Sequence, residues 1–107
     1  MSAARPIVAL KIGRAKYKVR YRRLLPHNLG RLFFTTRSIV VDDSQSDFDR
    51  ADTLLHEILH AVWDQHKLRA RVSEERAVTA LATGLTAVFC DNPGLLSHLE
   101  RLIRDGR

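Results

Sequence analysis

One stretch of the chain, residues 47–66, has apolar residues at the spacing of an α-helix and carries two histidines four residues apart. We expect a helix over this stretch. Side chains four residues apart lie on one helical face, roughly 5 to 6 Å between Cβ atoms, so His56 and His60 can contact one ion. The predicted apolar stripe of this helix consists of Phe48, Ala51, Leu55, Ile58, Leu59 and Val62.

The five residues 56–60 read His-Glu-Ile-Leu-His, which is the HExxH motif. With five His and four Glu in the chain, chance would give about 0.01 copies of this motif. Zinc binds neutral imidazole, and a carboxylate beside the ion can take a proton from water, which is the chemistry of a metallopeptidase. We therefore predict Zn²⁺ as the cofactor, His56 and His60 as its ligands and Glu57 as the general base.

A catalytic zinc takes three protein ligands, so the pair of histidines needs a third partner. The candidates are Glu74 and Glu75, in the first turn of a second predicted helix. Glu74 is in phase with the apolar positions of that helix, and Glu75 lies about 100° away. Compensation of the helix dipole explains either glutamate equally well. Both therefore stay open as the third ligand.

Strand patterns fill the first part of the chain. Residues 7–12 are apolar, residues 16–22 alternate with Tyr17, Val19 and Tyr21 expected to face inward, and residues 31–35 and 38–42 form an expected hairpin. The motif helix follows, capped by Ser46 or Asp47. Because strands precede helices, we predict an α+β fold in a single domain over residues 1–107, with a small antiparallel sheet of about three strands packed against about three helices.

Two more helices are expected after the motif helix. The second begins at a Ser73 cap, runs to about Cys90, and has a buried face of Val78, Leu81, Leu85 and Val88. Asn92 is expected to cap the third, with Pro93 at its first position. Cys90 is the single cysteine, so it forms no internal disulfide and is expected to be a small buried hydrophobe.

Charge is divided unevenly along the chain, whose net charge is +6. Residues 1–41 hold ten basic side chains and no acidic one, whereas residues 42–107 hold eight basic and twelve acidic side chains. This asymmetry suits a nucleic acid or an acidic protein partner. A solvated sheet face that keeps a small protein soluble explains it as well.

No apolar run approaches the length that spans a bilayer, and the first residues lack the apolar core of a signal peptide. We therefore expect a cytoplasmic protein with no membrane partner.

The stretch at residues 53–63, the glutamate-led segment at residues 74–78, and the segments at residues 81–85 and 91–93 together resemble small gluzincin-type metallopeptidases. These include the ImmA/IrrE-like proteins and the minimal zincin domains of phages and prophages. The resemblance covers most of the chain from about Lys16. It implies a zincin-like fold, zinc held by His56, His60 and Glu74 or Glu75, and Glu57 as general base on a protein or peptide substrate. SprT-like proteases also carry HExxH and stay as an alternative family.

The sequence thus predicts a zinc-dependent peptidase that hydrolyses peptide bonds with Glu57 as general base. The alternative is a non-catalytic zincin-fold module that binds DNA or a protein partner through its basic residues 1–41, with the metal structural or absent.

Overall fold

Four strands come first and three helices follow, in a computed structural model that describes residues 7–26, 28–69 and 71–105. The α+β class is therefore confirmed. The strands are β1 (Ala9–Ile12), β2 (Ala15–Arg22), β3 (Gly30–Phe33) and β4 (Ser38–Asp42), and the helices are α1 (Asp47–Gln65), α2 (Glu74–Asp91) and α3 (Leu95–Asp105). None of the helices in the described ranges is long and apolar enough to cross a membrane.

The sheet is mixed and has four strands, where an antiparallel sheet of about three was predicted. Its order is β1-β2-β4-β3, with β2 and β4 parallel and the other neighbours antiparallel. The hairpin of β3 and β4 is confirmed, but β4 is the strand that pairs with β2. Because β4 buries Ile39, Val40 and Val41 whereas β3 exposes Arg31, β4 suits the interior of the sheet and β3 its edge.

Strand β2 has the predicted alternation of buried and exposed side chains. Tyr17 and Val19 are buried and Tyr21 is half-buried, while the residues between them are exposed. The β1–β2 turn contains Gly13 at φ +62°, a left-handed conformation that glycine adopts without steric cost. The side-chain amide of Gln65, at the end of α1, donates to the Ile12 carbonyl at 2.6 Å and holds this turn against α1.

The buried face of α1 differs from the predicted stripe. The helix begins after Ser46, whose hydroxyl accepts a hydrogen bond from the Asp49 amide at 3.2 Å, as expected. Phe48 is 41% exposed and Leu59 is only half-buried, so these parts of the stripe were wrong. The residues that α1 buries are Ala51, Thr53, Leu54, Glu57, Ile58, Ala61 and Val62. Helix α1 packs against α2 and α3 as well as against β1, β3 and β4.

Helix α2 contacts α1 and β1 and is mostly exposed. Its Ser73 cap is confirmed, since the Ser73 hydroxyl accepts from the Arg76 amide at 3.2 Å. Two predictions for this helix were wrong: Val78 is 55% exposed, and Cys90 is exposed. The described part of the chain therefore leaves both residues open to solvent.

The predicted cap of α3 has a different position and a different role. Asn92 is the C-cap of α2, and α3 begins at Leu95, after Gly94 at φ +93°. The Asn92 side-chain amide donates to the Val88 carbonyl and to the Lys11 carbonyl, each at 2.7 Å, and its oxygen accepts from the Lys11 amide at 2.8 Å. Asn92 therefore ties the end of α2 to the outer edge of β1 and is not free to cap α3.

His98 in α3 is buried, and its burial leads us to expect that the stability of the protein depends on pH. Its Nε2 atom has no hydrogen-bond partner among the described residues. Burial lowers the pKa of His98 below its ordinary value of 6.5; Arg101 lowers it further, and Asp47 opposes the shift. As the pH falls below that value the unfolded chain gains a proton that the folded chain resists, so stability should decrease.

We expect the urea midpoint of the protein to drop between about pH 7.5 and about pH 5.5, and that of His98→Leu to drop less. An equal drop in both proteins would contradict this assignment.

Candidate metal centre

The two motif histidines lie together on the exposed face of α1. Their Nε2 atoms are 3.1 Å apart, and their rings meet edge to face with centroids 4.7 Å apart. Two nitrogens bonded to one tetrahedral zinc at about 2.0 to 2.1 Å are about 3.3 Å from each other. The pair therefore has nearly the separation that one zinc ion requires, and the imidazole donors suit that metal.

Glu57, between the two histidines in sequence, lies on the adjoining buried side of α1. It is only 6% exposed, whereas His56 and His60 are exposed. Burial raises the pKa of the Glu57 carboxyl, and the nearby His56 and His60 rings oppose this shift. A carboxylate that is poorly solvated accepts a proton more readily than one in water, which is what a general base needs.

Strand β3 approaches Glu57 directly because residue 30 is a glycine. A Cβ atom at Gly30 would overlap the Thr53 methyl group and would lie 3.0 Å from Glu57 Oε2. Any other residue at this position would push β3 away from α1. The glycine therefore brings the edge of the sheet alongside the predicted general base.

A hydrogen-bond network holds this approach in place. The Thr53 hydroxyl donates to Gln45 Oε1 at 2.8 Å, and the Gln45 amide donates to the carbonyls of Leu29 and Asp42 at 3.1 and 2.9 Å. Gln45 thus joins α1, the residue before β3 and the end of β4. These contacts fix the distance between the edge strand and the motif helix.

The space between β3 and α1 is a cleft of about 260 Å³. His56 and Glu57 line it, so a molecule in the cleft would contact a metal ligand and the base together. Its other lining residues are Asn28, Leu29, Gly30, Asp52 and Thr53. The sequence prediction missed these residues, although Asp52 and Thr53 precede His56 and Glu57 by one helical turn and could have been placed on the same faces.

On its other side the histidine pair borders α2, where an apolar residue lies beside it. A groove of about 380 Å³ is lined by His56, Leu59, His60, Trp63 and Leu81. Leu81 is the contribution of α2 to this groove. Glu74 is seven residues before Leu81, about 10 Å along the helix axis.

The predicted third ligands are both exposed in the first turn of α2. Glu75 accepts a hydrogen bond from the Thr79 hydroxyl at 3.1 Å and lines a separate groove beside His66. Within residues 7–26, 28–69 and 71–105, no three His, Cys, Asp or Glu side chains are grouped so that they could hold one metal ion. The structure thus brings His56, His60 and Glu57 together but not Glu74 or Glu75, and the third ligand stays a prediction.

The candidate site therefore consists of a converging imidazole pair, a buried carboxylate and a cleft bordered by an edge strand. Its donor atoms suit zinc, and two protein ligands are in place. Comparison of the chain with family models, with curated protein sequences and with solved structures finds no match.

Proposed function

We propose that the protein is a zinc-dependent peptidase with Glu57 as its general base. The observation that carries this proposal is the 3.1 Å approach of the His56 and His60 Nε2 atoms beside a buried carboxylate. The packing of an amphipathic helix does not by itself require an exposed imidazole pair with a buried glutamate between the two histidines in sequence. A cytoplasmic location, predicted from the sequence, is part of the proposal.

In this proposal His56 and His60 hold the metal, and a third ligand comes from Glu74, Glu75 or a group outside the chain. Zinc bound there supplies Lewis-acid polarisation of a carbonyl and makes water more acidic. Glu57 accepts the proton of an attacking water on its carboxylate and passes it to the departing amine. Its burial keeps this carboxylate away from bulk water, which favours proton uptake.

The edge strand supports an extended peptide as the substrate. Among the described residues β3 has no strand neighbour on its outer side, and its Gly30 lies next to Glu57. A peptide that pairs with a sheet edge gains backbone hydrogen bonds and aligns its carbonyls in a row. A substrate strand along β3 would therefore cross the cleft where His56 and Glu57 are located.

The alternative function is a non-catalytic module of the same fold. The absence of a third ligand among the described residues favours it, since a catalytic zinc takes three. In that case the histidine pair holds a structural metal or none, and the module acts through its basic N-terminal half. Metal content is the first measurement that separates the two functions.

We expect the purified protein, after incubation with zinc and removal of the excess, to retain one equivalent by elemental analysis. The variant with both His56→Ala and His60→Ala should retain none. Because Leu81 lies beside the pair, Leu81→Glu should tighten zinc binding by at least about tenfold, given that even supporting groups around a metal contribute about 10- to 100-fold.

Ala82→Glu adds the same charge at the exposed neighbouring position of α2 and should leave the affinity unchanged. The proposal would be contradicted if the parent protein retained no zinc, or if the double variant still retained it. If Leu81→Glu binds zinc no better than Ala82→Glu does, then the bound ion has no free coordination position on the side of α2.

A further inference from the structure

The sheet has one face against the helices and one face against solvent, and the solvent face is strongly basic. In all four strands the residues of the inner face alternate with those of the outer face. Six cations lie on the outer face, all in exposed positions: Lys11, Lys16, Lys18, Arg20, Arg22 and Arg31. We call these six residues the basic sheet face. Arg5, which was part of the predicted basic half, lies outside the described residues.

Four of the six cations form a straight row along β2, from Lys16 to Arg22. Alternate residues of a strand are about 6.6 Å apart, so the row is about 20 Å long. The strand register places Lys11 of β1 opposite Lys16, and Arg20 of β2 and Arg31 of β3 both opposite Val40 of β4. The cations therefore extend across the sheet as well as along it.

Among the described residues, one acidic side chain borders this row, because the strand register places Asp42 of β4 opposite Arg22. None of the six cations forms an ion pair within the part of the chain that the structure describes. The acid of the adjoining strand is Asp42, at the end of β4, and its carboxylate already accepts hydrogen bonds from the Ser44 hydroxyl at 2.8 Å and the Leu24 amide at 3.2 Å. Apart from Asp42 at one end of the row, the described residues of this face are therefore cationic or uncharged.

An apolar centre accompanies the charge. Val40 is 2% exposed, yet it does not belong to the core between sheet and helices. It lies on the outer face between Arg20 and Arg31, and the aliphatic stems of arginine can cover such a residue while the guanidinium groups stay in water. Phe33 is 37% exposed, and the Arg31 guanidinium lies 5.3 Å from the centre of its ring. This edge of the face offers planar groups for stacking.

Protection of sheet edges does not explain this arrangement. Basic residues that prevent edge pairing belong on edge strands, but the row of four lies on β2, which has neighbours on both sides. Four like charges along one interior strand repel one another, and a bound anion relieves that repulsion. A chain of regularly spaced negative charges fits such a row best.

We propose that the basic sheet face binds the phosphodiester backbone of single-stranded nucleic acid. The row of cations follows the phosphates, and Phe33 with Arg31 stacks on a base, as in other single-strand binding sheets. Duplex grooves suit this face poorly, because four strands span about 14 Å between the outer two, more than the roughly 12 Å width of the major groove. Binding does not depend on the peptidase, since the histidines are on α1, which packs on the opposite side of the sheet.

The test is fluorescence anisotropy with a labelled oligodeoxythymidine of about 15 nucleotides, titrated at several salt concentrations. Each phosphate contact on a single strand contributes about −0.7 to the slope of log affinity against log salt, so four to six contacts predict about −3 to −4. The double variant Arg20→Gln, Arg31→Gln should make the slope shallower by about 1.4 and weaken binding about tenfold or more.

The matched control is Arg69→Gln, Arg71→Gln, which removes the same two charges from the exposed connector between α1 and α2. It should keep the slope and the affinity of the parent. Equal weakening in both variants would overturn the proposal, because net charge alone would then explain binding. Tighter binding to the duplex of the same sequence, or to polyglutamate, would also overturn it. The zinc-free variant of His56 and His60 should bind the oligonucleotide as the parent does, so failure of the peptidase proposal and failure of this one are distinguishable.

Discussion

Glu57→Gln should lower the turnover of peptide hydrolysis by about 10²- to 10⁴-fold, which is the usual contribution of a general base. Glutamine has nearly the same size and can occupy the same buried position, but it cannot accept the proton. The measurement is the steady-state cleavage rate of a quenched fluorescent peptide library by the zinc-loaded protein. Zinc content should be unchanged, since His56 and His60 hold the ion in this proposal.

Glu100→Gln is the matched control for this variant. Glu100 is exposed on α3, 3.5 Å from Arg104, and an exposed ion pair of this kind contributes little. Because burial disfavours the charged form of Glu57, Glu57→Gln should be at least as stable as the parent in urea. A Glu57→Gln protein that is folded, loaded with zinc and fully active would exclude Glu57 as the base.

Ile58→Ala should destabilise the protein by about 2 to 5 kcal/mol, because it removes a side chain that is 0% exposed and leaves a cavity between α1 and the sheet. Leu59→Ala removes a neighbouring leucine that is only half-buried beside the histidine pair, so it should cost less than about half as much. The measurement is the free energy of unfolding from urea titrations, with circular dichroism to confirm that both variants fold.

This pair of variants tests the orientation of α1. If Leu59→Ala costs as much as Ile58→Ala, the helix is rotated so that the predicted stripe faces the core, and Glu57 is then more exposed. In that orientation of the helix the predicted base would no longer be buried. The stability measurement thus bears on the catalytic geometry without any assay of activity.

Local patterns in the sequence were sufficient to predict where helices and strands occur. The Ser46 and Ser73 caps and the alternation along β2 depend on residues close together in the chain, and all were predicted. The rotation of α1 about its own axis was not predicted. Leu54 and Leu55 are both leucines, and only the position of the sheet decides which one is buried. The interior position of β4 was missed for the same reason, since strand order depends on contacts between distant segments.

Only the histidine pair of the candidate site could be predicted from the sequence with its geometry. Histidines four residues apart on a helix must lie together, so His56 and His60 followed from spacing alone. The relation of α2 to α1 did not follow, because it depends on the connector and on packing at Gly84, where a Cβ atom would overlap Val62. That packing brings Leu81 rather than Glu74 next to the histidines. The close approach of β3 to α1 at Gly30 could not be predicted from the sequence either, since a lone glycine before a predicted strand has many explanations.

The hydrogen bonds between Asn92 and Lys11 limit how copies of this protein can associate. A sheet can extend from molecule to molecule without end only if both of its margins accept a new strand. In this fold β1 has four residues, and the side chain of Asn92 already occupies the backbone groups of Lys11 that point outward. Among the described strands β3 therefore has a freer edge than β1, and we expect strand pairing between copies to join two β3 edges rather than to extend through β1.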